Sequence, residues 1–184
     1  MNNSDLLITI CILVLCYSFF SAAETAFSSL NKIKIKALAN TGNRRAAKTY
    51  ELTENFSKVL TTILIGNTIV NVVSASLATV FFTNLLGGKG VTVSSIVMTL
   101  VIMVIGEIIP KNIAKAVPEK YAMSITPVLS LLVWIFTPLT FVFNYLDTLI
   151  ASIFGDASDA YSTDEFITMV EEANEEGEIE EQSD

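Results

Sequence analysis

The side chains in this sequence that could hold a hard cation sit inside apolar stretches, and they centre on Glu107. A charge at the centre of a bilayer costs at least ~2.5–3.5 kcal/mol, so an intramembrane carboxylate is a functional hypothesis by default. Pro110 follows three residues later and has no N–H. In a regular α-helix the carbonyl that it leaves unpaired is four residues back, on Gly106. That places a free backbone oxygen beside the Glu107 carboxylate, with no Gly106 side chain to block approach. Two hard oxygens on a kinked helix suit Na⁺, Mg²⁺ or Ca²⁺. The competing reading is a kink whose glutamate hydrogen-bonds to a neighbour.

Other apolar stretches offer partners. Asn67 and Asn71 are four apart, on one helical face, and Ser74 continues it. Gly66 lets another backbone come close. Amide oxygens are good neutral ligands for hard cations, although paired asparagines also serve as glue between helices. Ser18, Ser21, Thr25 and Ser28 form a narrow hydroxyl stripe, read either as tight packing or as a ligand source, with Ser21 the deepest near Glu24. Glu24 can pair with Lys111 or another base. One carboxylate among neutral oxygens makes a low-charge site, which should hold Mg²⁺ loosely with several waters, or hold Na⁺ instead.

These residues need spans to carry them. The chain has 184 residues, is 52% hydrophobic and is only 16% charged, against roughly 25% charged in soluble domains. The first apolar run is Leu6 to about Phe27, the second Val59 to Leu86, and the third Val91 to about Val117, each long enough to cross about 30 Å of hydrocarbon. A signal peptide is disfavoured because Asp5, and no Lys or Arg, precedes the first run. Between the first two runs, Asn31–Glu54 is basic and apolar at helical spacing, predicting one or two amphipathic surface helices broken near 40–43. Tyr121–Phe154 is apolar but interrupted by Pro127 and Pro138, which favours a hairpin or interfacial belt over a fourth span. After Asp156 the chain is acidic. Ser162 or Thr163 would cap a helix that stops at Gly177, either a solvated helix or a charge-sensitive switch.

Charge sets the orientation. All 11 Lys and Arg lie at or before Lys120, whereas 12 of the 19 acidic residues lie at or after Asp156. Seven of the basic residues fall between Lys32 and Lys58, and three more are Lys111, Lys115 and Lys120. Both clusters are cytoplasmic if the N-terminus is outside; a hairpin or belt over 121–154 then leaves the tail cytoplasmic too. With no histidine, the common zinc, iron and copper sets and most general-base catalysis are excluded, and an intramembrane enzyme is not expected. Cys11 and Cys16 read as small apolar residues. Nucleic acid is not an implied partner.

Three segments carry a family resemblance: Ser21-Ala-Ala-Glu-Thr-Ala-Phe-Ser28, Leu64-Ile-Gly-Asn-Thr-Ile-Val-Asn71 and Gly106-Glu-Ile-Ile-Pro-Lys111. In this order they resemble the transmembrane domain of the CNNM/CorC magnesium transporters. The resemblance implies an all-α integral membrane fold: three transmembrane helices with juxtamembrane helices over 1–155, then an acidic cytoplasmic helix over 156–184. It implies a homodimer in a multi-pass cell-membrane protein, and CBS modules that would follow this chain and are absent from it. It implies cation ligands at Ser21, Asn67, Asn71 and Glu107, with backbone help near Gly106, and it directs the choice of Ser21 among the serines. The expected function is Mg²⁺ export, with Na⁺ exchange proposed for the family. The alternative is a membrane-embedded cation sensor that regulates another transporter.

Overall fold

The structure, a computed structural model, describes residues 2–154, with side chains as far as Leu139. The expected acidic helix after Asp156 lies outside the described residues. The chain divides into two compact units, Met1–Thr140 and Phe141–Asp184. The candidate residues all belong to the first.

Every regular element described is helical. Helix α1 (Asn3–Ser29) starts on a capping box of Asn2 and Asp5. Helices α2 (Lys32–Asn40) and α3 (Arg44–Glu54) begin on Asn31 and Asn43, whose side chains accept from the first-turn backbone N–H groups. The break between them falls where it was expected. Helix α4 (Phe56–Leu86) leads through a short 3₁₀ turn, Gly87–Lys89, into α5 (Gly90–Val101). A π-helical segment, Ile102–Ile108, then joins α5 to α6 (Ile109–Ala116), and α7 (Pro118–Phe154) follows.

Asn3–Ser29, Phe56–Ala116 and Pro118–Leu139 are long and apolar enough to cross a membrane. At 1.5 Å per residue the middle stretch would reach about 90 Å, three times the hydrocarbon thickness. It doubles back at the 3₁₀ turn, so α4 and α5–α6 are antiparallel. Gly90 makes the reversal possible: a Cβ there would stand 2.5 Å from the Phe82 carbonyl oxygen and the Thr83 backbone. A Thr79–Ser94 hydroxyl contact of 3.4 Å links the two arms.

Helix α1 packs on α4 and along the π-segment and α6. Asn84 near the end of α4 donates to Asn3 at 3.4 Å, so the start of α1 and the α4–α5 turn share one end of the bundle. Lys111 meets Glu24 at the other end. The two basic clusters therefore lie at one end, with Lys89 opposite.

Of the hairpin or interfacial belt expected over Tyr121–Phe154, the hairpin is not formed. Helix α7 passes through both prolines without a turn. Each proline follows a threonine: Thr126 donates to the Ala122 carbonyl at 2.8 Å and Thr137 to the Val133 carbonyl at 2.7 Å, beside the carbonyls that the prolines leave unpaired. The start of α7 is tied to the amphipathic pair, through Glu119–Lys34 at 3.3 Å and a buried Thr126–Thr49 hydroxyl bond of 2.7 Å.

The core gathers Phe20, Ala22, Ala23, Ala26 and Phe27 of α1 with Val59 and Ile63 of α4 and Ala122, Ile125 and Leu129 of α7. The alanines let helices approach closely where lipid offers no hydrophobic drive between them. Gly66 is the tightest point of α4. A Cβ there would collide with the buried Phe20 ring, its Cζ included. Gly66→Ala is therefore expected to destabilise the bundle by about 1–3 kcal/mol. Phe20→Leu in the same chain should recover part of the loss, read by equilibrium unfolding in mixed micelles.

Candidate functional site

The site begins at Pro110. Immediately before it the backbone is in π register, with the Ile109 N–H donating to the Val104 carbonyl five residues back. In that register the carbonyl deprived of its donor by Pro110 is on Ile105, not on Gly106. Ser18 takes it: its hydroxyl lies 2.9 Å from the Ile105 carbonyl oxygen and 2.9 Å from that of Val14. The α-register argument for Gly106 is thus corrected by one residue. Gly106 has a different demonstrable role. It is buried, and a Cβ there would stand 2.7 Å from Tyr17 Cδ1, so it lets α1 lie against the π-segment.

The extra residue in the π-turn also changes which way the next side chains face. Glu107, with Asn71, Ala75, Ser95 and Thr99, lines a groove of about 510 Å³ between α4 and α5. Asn71 is exposed there. The structure thus brings Asn71 and Glu107 together.

Ser21 and Asn67 face inward. Ser21 is buried, and so is the Oδ1 atom of Asn67. Neither Ser21 Oγ nor Asn67 Oδ1 has a hydrogen-bond partner among the described residues. Buried polar atoms are nearly always paired. Ser21 and Asn67 each follow in sequence a residue of the Phe20–Gly66 contact between α1 and α4. Ser74, the third residue of that α4 face, donates its proton to the Val70 carbonyl at 2.6 Å. Thr25 is likewise occupied, donating to the Ser21 carbonyl at 3.2 Å.

The Glu107 carboxylate is not bare. Lys111 Nζ lies 2.9 Å from its Oε1 and 3.8 Å from Glu24 Oε2. The pairing of Glu24 with Lys111 was among the sequence expectations. The shorter bond to Glu107 was not, although the i, i+4 spacing carries the signal. Among the described residues no three His, Cys, Asp or Glu side chains converge. An ion held here would therefore meet one carboxylate and neutral oxygens.

The Ser18–Ile105 bond should show a particular dependence on Pro110. Ser18→Ala is expected to destabilise by ~0.6–1.7 kcal/mol, the range of interhelical bonds in membranes. In a Pro110→Ala background the new N–H supplies the missing donor, and the Ser18→Ala effect should fall towards zero. A double-mutant unfolding cycle measures the difference.

The profile of the cyclin M transmembrane N-terminal domain matches residues 8–183. The chain is 30% identical over 161 residues to the UPF0053 inner membrane protein YfjD of Escherichia coli, covering 85% of this chain and 38% of that protein. It is 34% identical over 176 residues to a UPF0053 protein of Haemophilus influenzae, covering 94% and 42%. A protein of the same organism named polyamine export protein is 24% identical over 187 residues, covering 93% and 43%. The chain spans about two fifths of the length of these relatives.

Proposed function

Because the chain belongs to the cyclin M transmembrane-domain family, we propose that it is the cation-handling part of a membrane transporter that exports Mg²⁺, with Na⁺ as the exchange ion. The observation that carries this is the pair of unpartnered buried oxygens on Ser21 and Asn67. A dehydrated cation would satisfy both acceptors, and few other groups could do so inside a span. Asn71 and Glu107 complete the ligand set from the groove between α4 and α5. One carboxylate per chain makes binding loose, as release requires.

In this reading the basic end of the bundle is cytoplasmic, the N-terminus is outside and α7 begins as an interfacial belt. Two copies form a homodimer in the bilayer, which doubles the helices around the pathway. CBS modules beyond this segment would regulate it from the cytoplasm.

A second substrate reading has its own support. Glu107 already accepts an alkylammonium, that of Lys111, and one relative is named for polyamine export. An organic polycation would use the carboxylates but leaves the orphaned Ser21 and Asn67 oxygens without a role. Mg²⁺ therefore remains the preferred cargo.

Glu107→Ala is expected to weaken Mg²⁺ binding by more than about 100-fold, since even groups outside a metal's immediate ligands cost 10–100-fold. Asn67→Ala should weaken it by roughly 10–100-fold. Both variants should remain folded. Calorimetric titration with Mg²⁺, Na⁺ and spermidine, with flux from liposomes against an opposing Na⁺ gradient, provides the check. Flux no greater than from empty liposomes would leave the cation-sensor alternative standing, and spermidine binding that depends on Glu107 in the absence of Mg²⁺ binding would favour the polycation.

A further inference from the structure

Lys111 is the only basic residue within reach of Glu107 among the ion pairs described, and it reaches Glu24 as well. We propose that Lys111 is a tethered competitor for the cation site: its ammonium neutralises Glu107 when no ion is bound and moves onto Glu24 when a cation arrives. The inference rests on Glu107 being a cation ligand.

Three observations support it. The first is the asymmetry of the contacts. Lys111 Nζ is at full hydrogen-bond distance from Glu107, 2.9 Å, and 3.8 Å from Glu24, so it is already placed between the two carboxylates. A lysine ammonium is a compact charge on a flexible stem with three rotatable donors, suited to exchange between two acceptors in a way that a planar guanidinium is not. The second is room to move. On the Glu24 side lies a polar groove of about 320 Å³ lined by Glu24, Thr25, Ser28, Ser29, Asn112 and Lys115. Its hydroxyl oxygens can accept the donors that Lys111 withdraws from Glu107. The third is partial exposure. The Lys111, Glu24 and Glu107 side chains are 35%, 32% and 43% exposed, so none is locked in packing.

The consequence is electrostatic. A cation and the Lys111 ammonium cannot share the same carboxylate without repulsion, so binding is an exchange of one positive charge for another. The apparent affinity is lowered by the fraction of chains in which Lys111 holds Glu107. Return of Lys111 to Glu107 displaces the ion on the release step. Lys111 therefore acts as a positioning residue for transport and not as a ligand.

The test is a set of Mg²⁺ titrations by calorimetry on the purified chain, with flux measured in liposomes. Lys111→Met should bind Mg²⁺ more tightly, by roughly ten-fold, the change that one modest interaction of about 1.4 kcal/mol represents. Its maximal flux should fall, because release loses its competitor. Lys111→Arg keeps the charge and should stay closer to the wild type in affinity. Glu24→Gln deprives the displaced ammonium of its acceptor and should weaken binding several-fold, and this weakening should largely vanish in the Lys111→Met background. A purely structural ion pair would not give tighter binding with slower flux. Wild-type or weaker affinity in Lys111→Met overturns the proposal. If that variant does not fold, unchanged affinity in Glu24→Gln overturns it. Failure of the site itself is a separate result: there Glu107→Ala would bind Mg²⁺ as the wild type does.

Discussion

Two aromatic rings of α1 seated on two glycines hold the functional half of the bundle together. Phe20 lies on Gly66 of α4 and Tyr17 on Gly106 of the π-segment, in each case where even a methyl group would not fit. Helices in lipid are held by van der Waals contact and interhelical hydrogen bonds, because lipid tails are as apolar as the side chains that face them. The two contacts are three residues apart on α1, and the serines beside them are carried to their places by the same approach. Ser18 reaches a carbonyl of the π-segment, and Ser21 is buried beside α4 without a partner.

The π-segment turns a proline into an interhelical bond. Pro110 removes a donor, the widened register assigns the loss to Ile105, and the Ser18 hydroxyl replaces it. An α-helix would have assigned the loss to Gly106, on the face that Tyr17 covers. Short π-helical turns inside α-helices are frequent at functional sites. Here the segment carries Glu107, which lines the same groove as Asn71.

The charge pattern at the basic end follows from the same geometry. Glu24 comes from α1, Glu107 from the π-segment and Lys111 from α6, so three elements converge on one ammonium. The three formal charges sum to one negative. Helices α2 and α3 lie at that end too, tied to α7 by Lys34–Glu119 and Thr49–Thr126.

Much of this was legible in the sequence because it depends on local pattern. Apolar length marks the spans, the break near 40–43 divides the amphipathic segment, and the lack of histidine with so few intramembrane carboxylates limits the chemistry. The pairing of Glu24 with Lys111 was open to reading from charge alone. The tertiary structure decided three things that local pattern could not. Hydrogen-bond register around Pro110 depends on whether another helix can supply a donor, so the move from Gly106 to Ile105 required Ser18 of α1. Helix α7 is continuous through Pro127 and Pro138, where proline spacing alone suggested a hairpin or an interfacial belt. The distinction between Ser21 and Asn67, left without partners, and Ser74 and Thr25, satisfied within their own helices, is invisible to periodicity. All four lie on stripes of the right spacing, and only packing determines which oxygens are buried with nothing to bind.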